Sequence, residues 1–287
     1  METFSYSKLE VFKKCPYKYK LTYIDKHFIQ NDNIATDFGK LIHSIEEEIG
    51  IYLKNGISIN YKALKEKFNI KLNEIENKYK EEFYLLDKTG KNYKDKANIY
   101  LNSSIYRLEQ RVKEENLEVI ACEKEFILDY KGIVFKGAID RILKKKNSNL
   151  YIIEDIKTYT EKIKENDLIN PLQFIVYSLA FSSISKNIIC NYDLPICNCI
   201  QKVSLLYNNI DDIIEEIKES DFHPSPTPLC HWCIFSNTFP NQPKEAKGLC
   251  PYYSQWTREN KKNIPYKKWE GELKNNKIVE EFKKEIL

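Results

Sequence analysis

With 287 residues and 42% hydrophobic side chains, the chain can bury one substantial core with elaborations or two small lobes, as a globular protein does. Its 45 basic and 42 acidic side chains leave a net charge of only +3, so overall charge announces no nucleic-acid partner and any such field must come from local clustering. The opening METFSYSKLEVFKKC is amphipathic and holds no secretory apolar region, and the longest apolar runs, such as 174–181, are too short to span a bilayer, so a cytoplasmic protein without membrane contact is expected.

In that setting eight cysteines argue for metal ligands or buried thiols more than for disulfides. Ser5 or Ser7 caps a short amphipathic helix with Leu9 and Phe12 on its apolar face, and Pro16 interrupts it just after Cys15. Lys13, Lys14, Lys18 and Lys20 interleave with Tyr17, Tyr19 and Tyr23. Such a segment either tracks a phosphate backbone and stacks bases, or packs its tyrosines into the core beneath a solvated basic face. Residues 36–49 carry apolar side chains at 38, 41, 42, 45 and 49, which is helical spacing, with Thr36 or Asp37 as cap. Gly39, His43 and Glu47 fall one turn apart on one face of that helix, so Glu47 can orient the His43 ring.

From 60 to 116 the pattern is helical and rich in Lys and Glu, broken by a turn around Thr89-Gly90, and it carries no evident chemistry. Leu117 to Tyr130 reads as a strand with Glu123 and Glu125 on one parity. A hairpin follows: apolar runs at 133–143 and 150–156 flank the polar connection 144–149. Alternation places Asp155 and Lys157 on one face with Ile156 on the other, and Asp140 on the neighbouring strand. Two carboxylates and an ammonium facing one spot are costly to desolvate and make chemical sense around a divalent cation. Gly137 removes a side chain where backbone or ligand must come close.

Asn170-Pro171 opens a buried helix in which Gln173 and Tyr177 are neighbours one turn apart. Residues 196–207 read as a strand with Cys197 and Cys199 on one face, taken with Cys190 as core thiols, and 211–219 as a short acidic helix. From 222 to 253 the chain turns irregular and proline-rich. There Cys230-x2-Cys233 has metal-knuckle spacing and Cys250-Pro follows. With Cys15 these make four thiolates, enough for a tetrahedral zinc or a [4Fe–4S] cluster, with Trp232 packed over the site. Residues 254–287 are Lys-rich and form a helical tail or a partner contact.

The run Gly137-x-Ile139-Asp140-Arg141, followed by a strand ending Asp155-x-Lys157-Thr158, resembles the core of the PD-(D/E)xK nuclease superfamily. Gly39-x3-His43 ahead of it, Gln173-x3-Tyr177 behind it and the four cysteines resemble the RecB-like branch with an iron–sulfur tie, as in AddB and Cas4 nucleases. The interval between Cys233 and Cys250 is longer than that branch's usual spacing, which keeps zinc open beside iron–sulfur. The resemblance implies an α/β, restriction-endonuclease-like fold: a central mixed sheet flanked by helices, a helical insertion at 35–116, a catalytic core at 117–207 and a cysteine-ligated region at 15 and 222–253, all within one domain over 1–253. It implies a Mg²⁺ or Mn²⁺ ion held by His43, Asp140, Asp155 and the Ile156 carbonyl, with Lys157 orienting water, Gln173 and Tyr177 positioning the strand, and Glu123 in a supporting role. The implied activity is hydrolysis of DNA, as an exonuclease on single strands or ends in recombination, repair or phage- or CRISPR-type processing. No P-loop G-x4-G-K-[ST] occurs, so unwinding would fall to a helicase or other DNA-processing subunit. The alternative is a catalytically idle, metal-tied DNA-binding or assembly subunit.

Overall fold

The structure is a computed structural model that describes residues 3–27, 29, 33–205, 210–225, 230, 233–235, 243–246 and 249–250. The expected tail at 254–287, and Trp232, lie outside the described residues. The chain divides into two compact units, one of Met1–Asn31, Asp129–Lys136 and Asn209–Leu287, the other of Asp32–Leu128 and Gly137–Asn208.

The second unit starts with α3 (Ile34–Lys54), after α1 (Tyr6–Lys14) and α2 (Pro16–Tyr19) of the first. The expected apolar stripe, Phe38, Leu41, Ile42, Ile45 and Ile49, is buried. The helix begins earlier than Thr36 or Asp37, because Asn33 is the cap: its side-chain oxygen accepts from Thr36 N at 2.9 Å. Asp37 is engaged elsewhere, accepting from Lys78 Nζ and Tyr79 OH at 2.9 Å each. Against α3 pack α4 (Tyr61–Tyr79), α5 (Tyr93–Asn102) and α6 (Arg107–Glu114), whose Leu64, Phe68, Tyr100 and Leu108 join the same core. The turn at Thr89-Gly90 separates α4 from α5, and a reciprocal cap between Asn92 and Asp95 starts α5.

The sheet is mixed. Strand β2 (Leu117–Tyr130) pairs with β3 (Ile133–Lys145), which runs antiparallel to β4 (Tyr151–Ile156) with Arg141 opposite Glu154 and Ile142 opposite Ile153. β5 (Ile188–Leu194) lies parallel to β4 and antiparallel to β6 (Cys199–Lys202). Helices flank the sheet: α7 (Leu172–Phe181) packs Phe174 and Tyr177 with Ile142 and Ile153, while Leu143 and Ile152 belong to the core shared with α3.

Two expectations change here. The strand expected at 196–207 is shorter, β6 at Cys199–Lys202, and it pairs back on β5, which was not expected. Residues 195–198 form the turn between them, so Cys197 lies in that turn rather than on a strand face beside Cys199, and 206–207 lie outside the described residues. Pro171 is the cap residue of α7, with φ −62° and ψ 127°, so the helix starts one residue later than expected and Asn170 does not cap it.

In the first unit, β1 (Thr3–Phe4) pairs in parallel with 134–135, at the start of β3. Ser5 caps α1, accepting from Lys8 N at 3.3 Å, and α1 stops before Pro16 as expected. Of the two readings of the lysine–tyrosine segment, packing applies to Tyr17 and Tyr19, which are buried, with Tyr19 stacked on Phe222 ahead of the irregular tail. Lys20 is buried too, paired with Asp25 at 2.6 Å. Helix α8 (Ile210–Glu219) buries Ile210, Ile213, Ile214 and Ile217, the apolar face of its acidic sequence.

Candidate active site

Five segments converge at the end of the β3–β4 pair: α3, β2, the two strands themselves and α7. Asp140, on β3, reaches across to the neighbouring strand, where its Oδ2 accepts from Ile156 N at 2.7 Å. From α3 comes His43, with Nε2 2.9 Å from the Ile156 carbonyl and Nδ1 3.6 Å from Asp140 Oδ2. With its proton on Nε2 the ring donates to that carbonyl and turns the Nδ1 lone pair toward the acids. Glu123, on β2, stands 3.7 Å from the same Nδ1. Ligand atoms of His43, Glu123 and Asp140 all lie within 4.8 Å of one another, and among the described residues this is the set that gathers so tightly.

Asp155 lies outside that set, and α7 explains where it goes. Its Oδ1 accepts from Gln173 Nε2 at 2.5 Å, and the same amide nitrogen donates to Tyr177 OH at 2.9 Å. Its Oδ2 forms an ion pair with Lys157 Nζ at 2.6 Å. Ile156 points the other way into the core, as strand alternation requires. Lys157, three-quarters covered, donates its backbone N–H to Asp193 O at 2.9 Å.

Crowding of three carboxylates against one imidazole and one ammonium sets the local electrostatics. Burial pushes the Asp155 carboxyl up to about 7, with the Asp140 charge adding to the effect and Lys157 opposing it. Burial likewise raises Asp140, against the pull of His43 and the Ile156 N–H. Burial would depress the His43 imidazolium, but Glu123, Asp140 and Asp155 outweigh it and its pKa is raised. A site with excess negative charge, partly dehydrated and rich in hard oxygen donors with one imidazole, suits a divalent cation such as Mg²⁺ or Mn²⁺.

Sequence reasoning placed Glu47 beside the His43 ring, but the carboxylate there is Glu123. Glu123 has φ +44° inside β2, a left-handed residue within a strand, which is how a bulge turns a side chain out of register. Strand parity cannot reveal that. Gly137, for its part, makes room for the Phe126 ring, whose Cζ lies 2.8 Å from where a Cβ would stand, and not for a ligand. Phe126 in turn packs edge-on against Tyr177 at 5.9 Å.

On the opposite face of the same strands lies a buried ionic cluster that the sequence did not disclose. Arg141, 1% exposed, donates to Glu154 and Glu46 at 2.9 Å each and to Asp193. Arg111 grips both oxygens of Glu154, and Arg107 pairs with Asp193. Tyr100 OH donates to Glu46 at 3.0 Å. Despite full burial, the two arginines hold Glu154 down to about 2.

The four cysteines of the proposed cluster belong to the first unit. Cys15, Cys233 and Cys250 pack on one apolar group formed by Tyr17, Leu21, Ile234, Phe235 and Ala246, and Cys233 N donates to Cys230 O at 3.1 Å. Lys18 N lies 3.4 Å from Cys15 Sγ, a donor suited to a thiolate. Burial raises the Cys233 thiol, with Cys15 and Cys230 close enough to add to that effect. Among the described residues, the tight ligand set is the His43 group, and it includes none of these sulfurs. Cys190 is buried, as a core thiol.

A mixed sheet with helices on it, carrying Asp140 on one strand and Asp155-Ile156-Lys157 on its antiparallel neighbour, is the arrangement of a restriction-endonuclease-like nuclease. The family model of the PD-(D/E)XK nuclease superfamily matches residues 3–190, and the chain belongs to that superfamily. Among solved structures it is similar to an exonuclease-like protein from Eubacterium rectale, at 12% identity over 75% of this chain and 76% of that one, with a TM-score of 0.40. It is also similar to the protein SSO0001, at 17% identity over 80% of this chain and 93% of that one, with a TM-score of 0.30. No curated protein matches. Among the described residues no helix is long and apolar enough to cross a membrane.

Proposed function

We propose that the protein is a Mg²⁺- or Mn²⁺-dependent deoxyribonuclease of the RecB-like branch that hydrolyses phosphodiesters as an exonuclease on single-stranded DNA or DNA ends. The observation that carries this reading is the His43–Glu123–Asp140 ligand set beside the Asp155–Lys157 pair. When bound, the ion supplies Lewis acidity toward the phosphate and lowers the pKa of water. His43, Asp140 and Glu123 would hold it, with Asp155 and the Ile156 carbonyl as the further oxygens that the resemblance assigns. Lys157, beside Asp155, orients the attacking water and offsets charge that builds on the phosphoryl oxygens. Gln173 fixes the Asp155 carboxylate while Tyr177 fixes Gln173, so α7 sets the acid's position before any substrate arrives.

The cysteines of the first unit would hold a [4Fe–4S] cluster, with Zn²⁺ as the other candidate, in a structural role because hydrolysis transfers no electrons. Any unwinding is assigned to a partner helicase or DNA-processing subunit. The test is digestion of end-labelled single strands and blunt duplex ends, with and without Mn²⁺. Metal-dependent cleavage that Asp155→Ala abolishes supports the nuclease. Binding without cleavage by the wild type, or cleavage unchanged in Asp155→Ala, supports the idle DNA-binding subunit instead.

A further inference from the structure

Beyond Lys157 the chain runs straight into a surface that the chemistry above leaves unused. Thr158 lies alongside α3, its Oγ1 3.9 Å from where a Cβ on Gly39 would stand, one turn from His43. Tyr159 is then 51% exposed. The neighbouring segment after the 3-10 turn Lys80–Tyr84 presents Leu85 and Leu86, 65% and 66% exposed. The two segments are latched together: Asp87 Oδ2 accepts from Thr160 Oγ1 at 3.2 Å, and Lys88 pairs with Glu161.

This is a built turn and not a frayed one. Asp87 Oδ1 accepts from Thr89 N at 2.7 Å, Thr89 Oγ1 at 2.6 Å and Lys91 N at 3.2 Å, and Lys96 Nζ stands 3.0 Å from Oδ2. Phe83 anchors it from below, fully buried. A rigid turn thus holds two leucines out in water beside a tyrosine two residues from Lys157. Two of its lysines are engaged, Lys88 with Glu161 and Lys96 with Asp87. The side chains it holds outward at 85 and 86 are apolar, so what it presents there is a surface for an apolar face more than for a phosphate. Three side chains are also too few for a stable protein interface, which needs about 800 Å² from each partner. Flat apolar faces that arrive next to the scissile phosphate are those of the substrate's own bases.

We propose that Leu85, Leu86 and Tyr159 form an apolar ledge on which the bases of a single-stranded DNA substrate rest as its backbone enters the site at Lys157. The proposal rests on the nuclease reading above and adds how the strand is held there. The ledge contributes through contact with bases, so its share of the affinity is independent of salt, in contrast to phosphate contacts.

The test is fluorescence anisotropy of labelled oligothymidylate with Ca²⁺ replacing the catalytic ion, using wild type and the triple variant Leu85→Ala, Leu86→Ala, Tyr159→Ala, with folding verified by circular dichroism. The expected result is a roughly ten-fold weaker affinity for the variant, with an unchanged salt slope. Abasic oligomer should bind the wild type as weakly as oligothymidylate binds the variant. Equal affinities, a changed salt slope, or a wild-type dimer that the variant loses while its DNA affinity stays the same would each overturn the ledge. Digestion with Mn²⁺ separates the two levels. A wild type that cleaves, alongside a variant that binds normally, removes the ledge alone, whereas a wild type that never cleaves removes the nuclease reading.

Discussion

Arg141 and Glu154 stand opposite one another in the β3–β4 register, joined at 2.9 Å with side chains 1% and 0% exposed. Each adjoins an acid of the candidate site: Arg141 follows Asp140, and Glu154 precedes Asp155. Glu46, another partner of Arg141, lies one turn after His43 on α3, and the carbonyl of Asp193 accepts from Lys157 N. The cluster therefore braces from behind the segments that carry the chemistry. Three arginines face the buried acids Glu46, Glu154 and Asp193, with the half-exposed Glu115 also on Arg111, so the buried group is charge-paired within itself and costly to break in part.

Replacing Arg141 with Met keeps most of the volume but leaves three buried carboxylates short of their donor. The expected loss is about 3–5 kcal/mol, measured by urea unfolding, since one partner of a buried pair is removed without the other. Arg141→Lys should recover little of it, because an ammonium cannot reach three acids with the planar fork a guanidinium provides. Stability within about 0.5 kcal/mol of wild type in Arg141→Met would mean that the acids find water and the brace does not exist.

Glu123→Gln addresses the metal set directly. It removes one charge from the group of three ligands and leaves Asp140 and His43 in place. The Mn²⁺ concentration needed for half-maximal cleavage should rise about 10–100-fold, the range seen when groups that support a metal site are lost. Rates at saturating Mn²⁺ should fall less than in Asp155→Ala. An unaltered metal dependence would take Glu123 out of the set.

How much of this was legible in the sequence follows from which physical signal each residue leaves. The β3–β4 hairpin, the α3 stripe and the stop at Pro16 are local, driven by period-2 or helical alternation and by ring sterics, and they read directly. β5 was missed because Asn191 and Asp193 interrupt an apolar run; both are buried, and Asp193 is paid for by Arg107 and Arg141 from elsewhere in the chain. Glu123 was placed on the correct strand, but only a left-handed backbone inside that strand brings it to His43. The Arg141–Glu154 contact was readable in principle, since strand alternation sends both away from Asp140 and Asp155, yet nothing local says that face is dry.

The Asp87 turn gives a pH signature away from the metal set. Burial would raise the Asp87 carboxyl, but Thr89, Lys96 and Lys91 outweigh it and its pKa is lowered. A depressed acid stabilises the fold fully above its unfolded value, about 3.9, and that contribution is lost as pH falls toward the folded value. Asp87→Asn should therefore cost about 1–3 kcal/mol at neutral pH and show a shallower loss of stability below pH of about 4 than wild type does. Parallel wild-type and variant curves across the acid range would show that the turn does not depend on the charge.

The cysteine region makes the last prediction, and it is independent of catalysis. Tyr17 OH donates to Leu249 O at 2.7 Å, and Cys15, Cys233 and Cys250 share one apolar group, so α2 and residues 249–250 are already drawn together by the protein. A cofactor bound by these thiolates adds its binding free energy to that association, because the unfolded chain offers no preformed site. Protein purified without oxygen should be brown with broad visible absorbance, and Cys230→Ala should abolish the colour and lower the melting temperature. Colourless wild type carrying stoichiometric zinc would replace iron with zinc in the same tie and leave the nuclease site untouched, since that site draws no ligand from these cysteines.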